Sequence, residues 1–281
     1  MFADLRKYPK LVGGLSEQGT KQATTFYERV LQFEDRPDLS RPNGVWTLGS
    51  AEAAELAKLA ETTYRDVNIA LANEFAKFAA AEEIDILSVI DACNSQPYSH
   101  LHHPGIAVGG HCIPVYPRLY LWNNPGADLV RTARAINAGM PETYVQLAEQ
   151  NYGDLHDARV LILGIAYRGN VKEHAYSGAF ALKKVLASKG AIVTVADPLY
   201  SADEISSLGF RPENAGDTVD IAILQADHPE YDQLDPDTIG HARLIIDGRP
   251  RMNRARSDAA PVIGFGTVCS RIGNSPENPA P

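Results

Sequence analysis

Residues 51 to 83, AEAAELAKLAETTYRDVNIALANEFAKFAAAEE, contain neither glycine nor proline and are rich in Ala, Leu and Glu. That composition predicts one long helix. Leu56, Leu59, Thr63, Val67 and Ala70 step by three or four, a continuous face that should touch something. A helix of about thirty residues spans roughly 45 Å, longer than a small domain. It should therefore link domains or pair with a second subunit, and this one element rules out a single small globule.

The segments flanking the helix are unequal. Ahead of it lie a short apolar strand (KLVGG, 10 to 14), a helical stretch from about Ser16 to Leu31, and a second strand, GVWTLGS. Two strands and one helix are too little to bury their own apolar faces. Behind it come a shorter helix, IDILSVIDACN, a loop running to about Pro117, and the helical region GADLVRTARAINAGMPETYVQLAEQNY, expected to be interrupted or kinked around Gly139 and Pro141.

The pattern changes after Tyr152. ARVLILGIAY, a helix from about Ser177 to Lys189, AIVTVADP, DIAILQAD, ARLIIDGR and APVIGFGTV follow one another. Continuous apolar strands separated by helices or loops describe a doubly wound parallel sheet covered on both faces. The expected divisions are 1–49, a two-strand remnant; 50–155, helical; 156–271, α/β; and 272–281, a polar, Pro-rich tail with no core to join.

A formal charge of −9, from 35 acidic against 26 basic residues, argues against a nucleic-acid surface. Cys93, Cys112 and Cys269 are too few and too scattered for a disulfide framework, which fits a reducing cytosol. No apolar run reaches the roughly 18 residues of a membrane span, so a soluble, cytoplasmic protein is expected.

The stretch GIAVGGHCIPVYP, 105 to 117, sets Cys112 behind Gly109 and Gly110 and ahead of Pro114. A stiff loop presenting one thiol is a mount for a nucleophile; a free cysteine is equally a small buried hydrophobe. His100, His102, His103 and His111 lie nearby, but no spacing matches a zinc signature, and no metal is expected. Lys58 sits on the polar side of the long helix, where a solvated lysine is the plain reading. In the last segment GIAYRGN follows the first strand and the second strand ends at Asp197, as in a dinucleotide fold with an acid for the ribose. The GxGxxG fingerprint is missing, only Gly164 and Gly169 being present, so this sheet should not hold a dinucleotide in the usual way.

In order, AELAKLAETTYRDVNIALANE, VGGHCIPV, ARVLILGIAYRGNV with a strand ending in ADP, and IIDGR resemble the UDP-glucose/GDP-mannose dehydrogenase family over nearly the whole chain. RDVNIALANE with GGHCIPV is most similar to its UDP-N-acetylmannosamine and UDP-N-acetylglucosamine 6-dehydrogenase branch. The resemblance implies oxidation of a sugar C6 alcohol to a carboxylate, for polysaccharide biosynthesis, by two hydride transfers to NAD through a thioester on Cys112. It implies Lys58 as the cation near the developing oxyanion, and Gly109, Gly110, Arg168 and Arg249 at the UDP-sugar, where an arginine fork suits a diphosphate. A homodimer through the long helix is the implied assembly.

Where the family pattern has an aspartate four residues after the cysteine, this sequence has Tyr116; for an asparagine four residues after the lysine it has Thr62; for an arginine that reaches the cofactor in DDTRESP it has Ala175 in KEHAYSG. Residues 1–49 resemble only the last strands and helix of the family's cofactor domain. The expectation is therefore an oxidoreductase chain that binds no NAD and is inactive alone, its cofactor domain supplied by another polypeptide. The alternative is a non-catalytic homologue that binds a nucleotide sugar or a partner.

Overall fold

The computed structural model describes residues 4–232, 239–250 and 260–265. Cys269 and the tail 272–281 lie outside the described residues. The chain divides into two compact units, Met1–Thr62 and Thr63–Pro281.

In the first unit β1 (Lys10–Val12) pairs in parallel with β2 (Val45–Thr47). Between them α1 (Glu17–Val30) starts at Ser16, whose Oγ accepts the Gly19 N–H at 3.1 Å, a side-chain cap for an otherwise unpaired donor. No residue of α1 is buried, as expected for two strands and one helix. The helix α2 (Ala51–Ala81) begins here and runs unbroken past Thr62.

The face of α2 buried in the second unit is not the one its leucines suggest. Asp66, Ala70, Asn73, Ala76 and Ala79 are buried, whereas Leu56, Leu71, Phe75 and Phe78 are exposed. Small and polar residues let neighbouring backbone come close, and a search for large apolar side chains misses such a stripe. Next come α3 (Ile86–Asn94), α4 (Tyr116–Asn123) and α5 (Asp128–Tyr152). The sequence did not point to α4, because Pro114 and Pro117 read as loop; Pro117 stands in the first helical turn, where no N–H is required. The expected interruption of α5 does not occur. Pro141 lies inside an unbroken helix, costing it the one bond from its own nitrogen, and Asn137, Met140, Pro141 and Tyr144 are all buried.

The strands β3 (Arg159–Leu163), β4 (Ile192–Ala196), β5 (Ile221–Leu224), β6 (Leu244–Asp247) and β7 (Val262–Ile263) form one parallel sheet in the order β4-β3-β5-β6-β7. The helices α6 (Gly178–Ser188) and α7 (Ala202–Ser207) interleave with them. Alternate residues point to opposite faces. Val160, Ile162, Ile221, Ile223, Leu244 and Ile246 share a core with Met140, Tyr144 and Ala148 of α5 and with Leu182 and Leu186 of α6. Leu161, Leu163, Ala222, Leu224 and Ile245 pack on the other side with Tyr231 and Ile239. Both faces are covered, as a doubly wound sheet requires, and each large apolar side chain buried this way contributes roughly 1.5–3 kcal/mol.

The strand order turns back between β3 and β5. In open α/β sheets that switch point opens a crevice at the carboxyl ends of the strands. Among the described residues no helix is long and apolar enough to cross a membrane.

Candidate functional site

The segment after β3 occupies the switch point, and four side chains from three other places hold it. Gly164, at φ +97, leaves β3 so close to β5 that a Cβ would stand 2.4 Å from that of Ala226. The Ile165 and Ala166 N–H groups donate to Asp197 Oδ2 at 2.8 and 3.0 Å. Gln225 Nε2 donates to the Gly164 and Ala166 carbonyls at 2.9 and 2.8 Å, and Gly169 N–H to Asp227 Oδ1 at 2.8 Å. Arg249, just past β6, donates from Nε to the Gln225 carbonyl at 2.7 Å and from Nη2 to the Tyr167 carbonyl at 3.1 Å. Burial lowers the affinity of this guanidinium for its proton, opposed by Asp227. A cation so fixed is suited to an anionic ligand.

Against this loop lies the strap 105–115. Ile106 donates its N–H to the Gly248 carbonyl at 3.0 Å, and Gly110, at φ +89, donates to the Ala175 carbonyl at 2.8 Å. A Cβ on Gly109 would sit 2.5 Å from Tyr167 Cβ, and one on Gly110 3.2 Å from the Tyr167 ring. The two glycines are there because backbone packs on an aromatic side chain. Cys112 is half-buried, and its carbonyl accepts the Val115 and Tyr116 N–H groups at 3.1 and 2.9 Å, the turn from which α4 starts. Glu173 ties the two segments together. Its carbonyl accepts the Tyr167 N–H at 2.9 Å, its Oε1 the His174 and Ala175 N–H groups at 2.8 and 3.0 Å, and its Oε2 lies 3.1 Å from His111 Nε2. The His111 hydrogen bond, followed by those backbone donors, holds its carboxyl below the usual range.

Of the residues singled out in the sequence, Gly109, Gly110, Ala175 and Arg249 thus meet around Tyr167. Arg168 is exposed beside them, its Nε donating to the Tyr167 hydroxyl at 3.1 Å. Tyr116 opens α4. Lys58 belongs to the first unit, exposed on α2 with Nζ 3.1 Å from Glu61 Oε2. Thr62 is buried and gives its hydroxyl proton to the Lys58 or Leu59 carbonyl, 2.8 and 3.1 Å away. Among the described residues no group of three His, Cys, Asp or Glu side chains could hold a metal ion. Tyr167 and Glu173 were not singled out in the sequence; the one available signal was that a pair of glycines needs a bulky neighbour.

A dinucleotide does not fit the second unit's sheet. Asp197, placed for a ribose, spends Oδ2 on two loop amides and on His228 Nε2 at 3.3 Å, and Oδ1 on the Leu199 N–H at 2.9 Å. Burial raises its proton affinity, but His228 and the amides outweigh that and hold it below the ordinary carboxylate value. Gly169 is equally committed, since a Cβ there would meet the Asp227 carbonyl oxygen at 2.0 Å. Its role is packing within the protein.

Residues 52–139 match the central domain of the UDP-glucose/GDP-mannose dehydrogenase family, and residues 161–254 its UDP binding domain. The chain is 33% identical over 264 residues to the UDP-N-acetyl-D-mannosamine dehydrogenase of Methanocaldococcus jannaschii, covering 90% of this chain and 58% of that protein. It is 33% identical to the protein of the same name in Pyrococcus horikoshii, with 89% and 58% covered. Among solved structures, a UDP-D-ManNAc dehydrogenase from Pyrococcus horikoshii superposes with a TM-score of 0.81 at 28% identity, over 94% of this chain and 61% of that one. The UDP-N-acetyl-mannosamine dehydrogenase Cap5O from Staphylococcus aureus gives 0.77 at 27%, over 95% and 61%. The chain therefore spans about three fifths of the length of the relatives it matches. With two successive domain matches, and with the strap and the Arg249 loop meeting at the switch point of the sheet, the chain belongs to the UDP-glucose/GDP-mannose dehydrogenase family.

Proposed function

We propose that this chain is the nucleotide-sugar-binding and thiol-bearing part of a nucleotide-sugar 6-dehydrogenase, with UDP-N-acetylmannosamine as its sugar. The helical segment 50–155 carries the thiol and the α/β segment 156–271 holds the UDP. The observation that carries this reading is the packing of Gly109 and Gly110 on Tyr167, which sets the strap bearing Cys112 against the loop fixed by Arg249. The relatives' names supply the sugar.

In this reading Arg249, with Arg168 beside it, meets the diphosphate, and Cys112 attacks the C6 aldehyde of a partly oxidised sugar. The thiolate of Cys112 forms the carbon–sulfur bond while the carbonyl π electrons become an alkoxide. Oxidation needs NAD, for which the sheet of the second unit offers no fitting site, so no hydride step is assigned to it. The apolar face of α2, with Leu71, Phe75 and Phe78 exposed, supports a homodimer.

A second reading is a homologue that binds nucleotide sugar without turnover. Thr62, whose hydroxyl is engaged with its own helix, and Ala175 and Tyr116 in place of charged groups favour it. Iodoacetamide labelling of the folded chain, with and without UDP-N-acetylmannosamine, tests the common part of both. Protection of Cys112 but not Cys93 supports it, and equal labelling with and without the sugar refutes it.

A further inference from the structure

Beneath the strap, α2 and α5 share a chain of buried polar groups that the chemistry above does not use. Arg134 Nε lies 2.7 Å from Asp66 Oδ2. Asn137 Nδ2 donates to Asp66 Oδ1 at 2.8 Å and to the Asp66 carbonyl at 2.9 Å. Asn73 Nδ2 donates to Asn137 Oδ1 at 3.0 Å, and Asn73 Oδ1 accepts the N–H of Gly105 at 2.9 Å. Asp66, Asn73 and Asn137 are essentially inaccessible to solvent. The chain thus ends on the first residue of the strap, whose next amide is bound by the Gly248 carbonyl beside Arg249. One turn of α2 earlier, Asn68 accepts the His102 N–H at 2.9 Å and donates to the His100 carbonyl at 2.7 Å.

Burial raises the proton affinity of Asp66, and Arg134, Asn137 and Arg118 oppose it. Burial likewise lowers that of Arg134, with Asp66 opposing. Neither charge gains much from being where it is, and apolar side chains of similar volume commonly serve stability as well as a buried ion pair. What apolar side chains cannot do is accept one particular N–H.

We infer that Asp66, Asn73, Asn137 and Arg134, with Asn68, are positioning residues that fix the strap on the N-terminal side of Cys112 and so set the presentation of its thiol. This rests on the reading of Cys112 as the reactive group and extends it to the polar residues of RDVNIALANE, which thereby acquire a common purpose: Asp66, Asn68 and Asn73 each hold the approach to the strap.

The test is the ratio of Cys112 to Cys93 alkylation rates by iodoacetamide in the full chain without ligand, read by peptide mass spectrometry beside a thermal melt. Asn73→Ala should change the ratio about threefold or more, beyond any fall in Tm. Asn68→Ala should change it in the same direction, and Asn68→Asp, which keeps the acceptor for His102, should return it toward the native value. If Asn73→Ala does not fold, the Asn68 pair decides. A folded variant with lowered Tm and an unchanged ratio would make the network merely structural and overturn the inference. Because no sugar is present, this outcome is independent of whether UDP-N-acetylmannosamine protects Cys112.

Discussion

Gly109 and Tyr167 pack so closely that a methyl group on the glycine would stand 2.5 Å from the tyrosine Cβ. The strap and the β3–α6 loop are in contact through backbone on one side and ring on the other. Gly109→Ala must move one of them, at a cost of about 1–3 kcal/mol. Gly110→Ala meets the Tyr167 ring less tightly but forces alanine to φ +89, worth roughly 1–2 kcal/mol. Denaturant midpoints should fall in both. Gly109→Ala should also weaken protection of Cys112 by the sugar, an effect no distant destabilising change produces.

Arg249→Lys removes the fork that serves the Gln225 and Tyr167 carbonyls. A point charge cannot serve both, and a buried acceptor left unpaired costs about 1–3 kcal/mol. The variant should lose that much stability, and, with the cation no longer held in place for the diphosphate, on the order of tenfold in UDP affinity, about 1.4 kcal/mol. Calorimetry with UDP checks this, and unchanged affinity would remove Arg249 from the ligand site.

Asp197 sets an acid limb on stability. Its folded pKa is depressed below the ordinary value, so its contribution is present above the unfolded carboxylate value of about 3.9 and is lost as pH falls through the lower folded value. Asp197→Asn should therefore cost about 2–3 kcal/mol at neutral pH and progressively less below about pH 4. Urea midpoints of both proteins across that range measure it, and a gap that stays constant would show that the carboxylate charge is not what holds the loop.

Much of the fold was legible because its cause is local. The runs VLIL, IAIL and LIID announce buried parallel strands, and the lack of Gly and Pro announces α2. The helix α4 was hidden by Pro117, which also suits a first turn. Short α7 was readable in principle, since Ser201 and Glu204 form a reciprocal cap, but six residues carry little periodicity. In the site, Cys112 and its glycines stood out by composition. Asn73 and Asn137 did not, since their bond joins residues 64 apart in sequence and an asparagine on a helix is ordinary until its partner is known.

The exposed apolar face of α2 makes a prediction about assembly. Phe78 is 64% exposed, and Leu71 and Phe75 lie on the same side of the helix. Phe78→Asp should convert a dimer to a monomer in light scattering without lowering the thermal midpoint of the monomer. A native chain that is monomeric at concentrations well above micromolar would contradict the dimer.

The sheet of the second unit is proposed to hold a nucleotide sugar at its switch point and, with Asp197 committed to its own loop, no dinucleotide. The decisive experiment is titration calorimetry of the purified chain with UDP-N-acetylmannosamine and, separately, with NAD. Saturable binding of the sugar nucleotide, lost in Arg249→Ala, and no binding of NAD are expected. Saturable NAD binding, or no binding of the sugar nucleotide by the folded chain, would contradict the proposal.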